Sequence, residues 1–281
     1  MKVKQYEQLE FTDDFMFSYV MCNNEELCRV LLENILSISI ERLEFLSGQE
    51  TIDSYPDAKG VRLDVYLKSS DKVFNVEMQT VKKLDLAQRS RYYQSQMDTS
   101  MLQKGESYKA LADNYIVFIC MFDPFNKGEY IYHFKNMCME VPELALLDGS
   151  HKIFVNVRGE KGHISRELRE FLDYLKTPEK FGEVQKGNYL VSNVVREVIK
   201  GRRNKEWRLI YMTLMTRYNE LLAEGREEGR EEGLAEGLAE GEKLFANLTK
   251  VLLKEGMAEE LNRAIEDKAY RDQLYHQYGI L

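Results

Sequence analysis

The stretch Val61-Arg62-Leu63-Asp64-Val65-Tyr66-Leu67-Lys68-Ser69-Ser70-Asp71-Lys72-Val73-Phe74-Asn75-Val76-Glu77-Met78-Gln79 decides how this chain folds. On either side of the polar connection Ser69–Lys72 it alternates apolar and polar residues, the pattern of two half-buried strands joined as a hairpin. In the first run Val61, Leu63, Val65 and Leu67 share one face, and Arg62, Asp64 and Tyr66 share the other. In the second, Phe74, Val76 and Met78 share one face, and Val73, Asn75, Glu77 and Gln79 the other. Pairing Lys68 with Val73 sets Leu67 opposite Phe74, Val65 opposite Val76 and Leu63 opposite Met78, apolar against apolar throughout. A slip of one residue would set Asp64 opposite Val76 and mix the faces. The register that keeps the core apolar therefore brings Asp64 opposite Glu77 and Arg62 opposite Gln79.

Two carboxylates side by side on a sheet repel each other unless a cation sits between them. Hard oxygen donors suit Mg²⁺ or Mn²⁺, which bind few carboxylates and keep waters for substrate phosphates. Gln79 points to the same face as Glu77, about 6 to 7 Å further along the strand, and can orient a water or a phosphate oxygen. Arg89 and Tyr92, on a helix expected over residues 84–103, share a stripe with Gln96 and can reach that face to contact phosphate. The alternative for this set is an exposed sheet face with surface charges and a packed tyrosine.

Working outward, residues 11–37 read as helical, with Asn23-Asn24 as a break, and Asp13 and Asp14 suited to the start by their charge. A strand is expected over 41–46. The run Tyr115–Phe122 carries no charge and reads as a strand buried on both faces, paired in parallel through the crossover helix. Strands over 130–135 and 152–157 and a helix over 165–176 follow. Beyond about residue 180 strand signals vanish; 191–222 and 243–278 read as helix. Between them Gly225, Gly229, Gly233, Gly237 and Gly241 recur with period four. The repeat is either a solvated helical tail or a surface for close helix–helix approach in a homo-oligomer. The expected domains are 1–185, with the sheet, and 186–281, helical, with the repeat at 220–242.

The net charge of −8 argues against a polyanionic partner only until its distribution is considered. Residues 220–242 hold nine glutamates and two arginines, which leaves the rest of the chain at −1. Residues 81–109 carry six Lys or Arg against three Asp or Glu. No apolar run is long enough for a membrane helix. Cys22, Cys28, Cys120 and Cys138 form no CxxC pair, and the start of the chain lacks an apolar leader. These features point to a reducing, cytoplasmic setting. His133, His151, His163 and His276 show no ligand spacing.

The motif Gly60-Val61-Arg62-Leu63-Asp64-Val65-Tyr66 followed by Val76-Glu77-Met78-Gln79 resembles the PD-(D/E)XK nuclease superfamily, and more narrowly the PD-(D/E)XK nuclease family transposases, also called recombination-promoting nucleases. Asp13-Asp14-Phe15-Met16-Phe17, Gln88-Arg89-Ser90-Arg91-Tyr92-Tyr93, Gly105-Glu106-Ser107-Tyr108 and the Glu-Gly repeat strengthen the likeness. The resemblance covers roughly residues 10 to 240. It implies an α/β restriction-endonuclease-like core: a helix, a three-stranded antiparallel meander, a crossover helix and a further strand. It implies Asp64 and Glu77 as catalytic metal ligands for Mg²⁺ or Mn²⁺, Gln79 in the place of the superfamily's catalytic lysine, and Asp14 as an auxiliary residue. The implied activity is metal-dependent endonucleolytic hydrolysis of DNA, linked to recombination or mobile elements. The alternative is a weak or inactive nuclease fold that binds nucleic acid or assembles with itself. Pro56-Asp57 is a literal PD dipeptide, but it sits in turn chemistry and no register ties it to Glu77, so Asp64 is preferred.

Overall fold

The computed structural model describes residues 4–47, 51–52, 61–62, 64–181 and 187–281. Two helices come first, α1 (Asp14–Cys22) and α2 (Glu25–Leu36). They part at Asn23-Asn24, whose side-chain amides donate back to the carbonyls of Tyr19 and Val20 and so finish α1. The strands β1 (Glu44–Ser47), β2 (Thr51–Ile52), β3 (Val61–Arg62), β4 (Val65–Ser69) and β5 (Lys72–Gln79) follow. The crossover helix α3 (Leu86–Met101) leads to β6 (Asp113–Cys120), β7 (Ile131–Phe134), β8 (Ser150–Asn156) and α4 (Arg166–Lys176). Then come α5 (Tyr189–Arg203), α6 (Lys205–Lys254), α7 (Ala258–Glu266) and α8 (Lys268–Gln277).

Six strands form one mixed sheet in the order β1-β4-β5-β6-β8-β7. Strand β4 pairs antiparallel with β5 in the register the hydrophobic pattern requires: Lys68 with Val73, Leu67 with Phe74, Val65 with Val76. Ser70 takes the left-handed conformation, φ 46°, that closes the two-residue turn. The charge-free run becomes β6, parallel to both β5 and β8 and buried from Asn114 to Cys120. On one face of the sheet α3 lays Leu86 and Met97 over Tyr66, Ile116, Phe118 and Phe154. This is a mixed α/β sheet flanked by helices, followed by a helical C-terminal region.

Two expectations are corrected. The expected strand over 61–68 is broken: Asp64 lies in a bend, and β3 pairs with β2, Arg62 with Thr51, rather than extending the ladder so that Arg62 meets Gln79. The expected pairing of Leu63 with Met78 and the Pro56-Asp57 dipeptide lie outside the described residues. The helix expected over 191–222 is two helices. Asn204 separates them because its side-chain oxygen accepts from the Glu206 and Trp207 amides and starts a new helix.

The chain divides into two compact units after Tyr211. Helix α5 belongs with the sheet, burying Leu190, Val191, Val194 and Val198, and Tyr6 donates its hydroxyl to the Gly201 carbonyl within the same unit. The second unit, Met212–Leu281, has its own small core of Leu248, Leu252, Ala264, Leu274 and Tyr275.

Candidate active site

Strand β5 carries the site. It is buried on both sides along most of its length, so its polar residues must find partners within the protein. Asn75, Glu77 and Gln79 stand on one face at the two-residue period, with exposures of 0%, 2% and 7%. Asn75 Nδ2 donates to Glu77 Oε1 at 3.0 Å, and Gln79 Nε2 donates to Glu77 Oε2 at 3.3 Å. Asn75 Oδ1 is buried without a hydrogen-bond partner.

Helix α3 closes the site from above. Arg89, in its first full turn, donates to Gln79 Oε1 at 3.0 Å, to Glu77 Oε2 at 3.1 Å and to the Tyr93 hydroxyl at 2.7 Å. Its guanidinium also lies over the Tyr93 and Phe118 rings. The structure therefore places Arg89 inside the carboxylate cluster, as partner of Glu77 and Gln79. Tyr92 packs its ring against the core cluster beneath α3.

The ladder of β4 with β5 ends at Val65–Val76, one residue short of Asp64 and Glu77. Asp64 is half-buried in the bend just beyond, and its carbonyl lies 3.7 Å from Cys22 Sγ of α1. Its charge is felt by both neighbours. Burial, reinforced by Asp64, pushes the Cys22 thiol up to about 11. Burial raises Glu77 to about 8; the charges of Asp64 and Asp14 push in the same direction, while Asn75 and Arg89 pull it back. Three of the expected site residues, Asp64, Glu77 and Gln79, thus lie toward one end of β5, and the charge of Asp14 acts on Glu77. Asp14 is the first residue of α1; the position before it is taken by Asp13, which accepts from Lys4 and from the Glu10 amide.

Asn75 and Tyr93 are site residues that the sequence reading did not single out. Both had a signal: Asn75 is one strand period from Glu77, and Tyr93 one helical turn from Arg89. Among the described residues no group of three or more His, Cys, Asp or Glu side chains forms a ready coordination cage. The donor chemistry nevertheless suits a hard divalent cation. The carboxylates are all oxygen donors, and a cation would offset both the burial and the like charges of Asp64 and Asp14 that together raise Glu77.

A family model described as PD-(D/E)XK nuclease family transposase matches residues 11–205. No curated protein matches the chain, and neither does any solved structure.

Proposed function

Because the chain belongs to the PD-(D/E)XK nuclease family transposases, we propose that it is a divalent-metal-dependent DNA endonuclease with Asp64, Glu77 and Gln79 at its centre. The observation that carries this reading is Glu77, a carboxylate buried to 2% exposure and set against the charges of Asp64 and Asp14.

Asp64 and Glu77 would hold Mg²⁺ or Mn²⁺. When bound, the ion supplies an activated water and offsets charge on the phosphoryl oxygens. Asn75, donating to Oε1, fixes the plane of the Glu77 carboxylate. Gln79 is neutral and cannot deliver a proton as a lysine does; it orients Glu77 Oε2 and, through its own oxygen, Arg89. Arg89 donates to Oε2 at 3.1 Å, and releasing that contact makes the oxygen available. Burial, aided by the Glu77 charge, raises the Tyr93 hydroxyl, which leaves it protonated around neutral pH.

The Arg89–Glu77 ion pair also favours a second reading, a nuclease fold that binds nucleic acid or assembles with itself and turns over weakly or not at all. Nicking of supercoiled plasmid under Mg²⁺ or Mn²⁺ decides between them. Nicking by the parent that both Asp64→Ala and Glu77→Ala lose supports the nuclease. DNA binding with no nicking under either metal supports the second reading, and faster cleavage of a matched RNA redirects the substrate.

Finer parts of the reading are a role in recombination or mobile elements, cytoplasmic placement, in keeping with four free thiols, and a homo-oligomer through α6. At each of the five repeat glycines an added Cβ would meet only open space, so the helix surface there is open to close approach. Sedimentation of the full chain against a Gly229→Leu, Gly233→Leu variant tests the oligomer. Among the described residues no helix is long and apolar enough to cross a membrane.

A further inference from the structure

Between Gln79 and the start of α3 runs a short loop, Val81-Lys82-Lys83-Leu84, that is wholly unlike the strand it leaves. Strand β5 is buried to its last residue. Two residues later Val81 is 63% exposed and Leu84 is 95% exposed, with Lys82 and Lys83 exposed between them. A leucine so fully in water gains nothing from the fold. Both ends of the loop are fixed: Gln79 and Arg89 are hydrogen-bonded to each other and to Glu77. The loop therefore joins two residues that touch the Glu77 carboxylate, and its exposed side chains border the site.

The rim's cations are not neutralised. Among the described residues Lys82 and Lys83 make no ion pair; Lys82 Nζ instead reaches the Asp123 carbonyl at 3.5 Å and Asn126 Oδ1 at 3.2 Å. Arg158 stands at the same end of the sheet, donating to the Met121 carbonyl, while the Met121 amide donates to the Gln79 carbonyl. Besides the site carboxylates Glu77, Asp64 and Asp14, this end carries Asp85, Glu129, Glu160 and Asp123. Both oxygens of Asp123 are taken up by the amides of its own turn and by the Tyr132 hydroxyl.

We infer that Val81–Leu84 is the DNA-engaging rim of the site, with Lys82 and Lys83 contacting successive phosphates of a duplex and Leu84 pressing its apolar side chain into the adjoining groove. The inference rests on the nuclease reading for its substrate. Two lysines recognise a phosphate backbone without sequence preference. An exposed aliphatic side chain next to them supplies the apolar wedge with which groove-binding proteins unstack a base step. Arg89, held by Glu77, Gln79 and Tyr93, is the positioning residue beneath this rim rather than its DNA contact.

The test is fluorescence polarisation with a labelled duplex across a salt series, using the full chain carrying Glu77→Gln so that cleavage does not intervene. Lys82→Ala with Lys83→Ala should lower the slope of log affinity against log salt by about two. Leu84→Ala should weaken binding several-fold with the slope unchanged. Lys135→Ala, at the other end of the sheet, serves as the control and should match the parent. All are surface changes, and far-UV circular dichroism and melting verify the fold. Parental affinity and slope in both rim variants overturn the inference, as does a duplex that does not bind at all. A parent that binds DNA through this rim yet nicks none under Mg²⁺ or Mn²⁺ leaves the inference standing and removes the nuclease reading instead.

Discussion

The two ends of the parallel strands bury polar clusters of opposite character. At the carboxyl end, Glu77 is crowded by the like charges of Asp64 and Asp14. At the amino end, Asn114 donates to Asp98 at 3.1 Å, the Ser150 hydroxyl donates to Gln94 at 2.8 Å, and Lys152 donates to Ser150 at 3.0 Å. Beside them His133 and His151 share a hydrogen bond of 3.0 Å, and His151 stacks on Tyr115. Burial shifts groups at both ends toward neutrality: Glu77 and Asp98 upward, Lys152, His133 and His151 downward. The difference lies in the partners. At the carboxyl end Glu77 takes Asn75, Gln79 and Arg89 as donors and still faces the like charges of Asp64 and Asp14, whereas the amino-end contacts pair donor with acceptor and leave Asn114 Oδ1 without a partner. A buried carboxylate that meets like charges in spite of its donors is a candidate for function.

Four measurements press on this comparison. The largest expected effect is on catalysis: Asp64→Asn and Glu77→Gln should each cut metal-dependent plasmid nicking by at least about a hundredfold, the scale of a lost positioned catalytic group. Asp98→Ala should leave nicking intact, and loss of nicking there would erase the distinction between the ends.

Next is the alkaline stability of the metal-free protein. Glu77 has a folded value of about 8 against an ordinary 4.5. Its protonated form is the one the fold favours. The stability it contributes is therefore complete below about pH 4.5 and is lost as pH rises through 8, a few kcal/mol in all. Urea midpoints between pH 5 and 9 should fall in the parent and stay flatter in Glu77→Gln. Mn²⁺ should raise the midpoint at pH 8 in the parent only.

Third, Asp98→Ala should cost about 1 to 3 kcal/mol in urea unfolding. It leaves Asn114, whose Oδ1 already lacks a partner, with an unmade donor as well. The smallest effect is at acid pH. His133 falls from 6.5 to about 4 through burial, helped by the charges of His151 and Lys135. For a base held neutral, the contribution is present above pH 6.5 and lost as pH falls toward 4. The pair is partly exposed, so solvent screening reduces it to under about 1 kcal/mol. His133→Gln should flatten that arm of the stability curve.

Much of the fold was legible because of one rule of sheets. A one-residue slip between β4 and β5 would turn Leu67, Val65 and Phe74 to the wrong face, so the alternation admits only one register. The charge-free run of β6 revealed parallel pairing for a related reason, since a strand covered on both faces keeps a polar residue only where a partner inside the protein satisfies it. What escaped was local: the bend at Asp64 that ends the ladder early, and the cap at Asn204 that divides one expected helix into two. A period-two pattern continues through a bend in the backbone, and a helical pattern continues through a cap.

The chain's own order of residues determined which side chains share a face: Glu77 with Asn75 and Gln79, Asp64 with Tyr66, Arg89 with Tyr93. Those relations follow from the periods of strand and helix and need no knowledge of the rest of the molecule. Only the tertiary structure decided which faces meet. The sequence allowed Arg89 to reach the face that carries Glu77; the way α3 crosses β5 decides that it donates to Glu77, Gln79 and Tyr93, while Lys82, Lys83 and Leu84 are left exposed. The physical reason is that periodicity governs a segment by itself, whereas the partner of a buried charge is set by the packing of one segment on another.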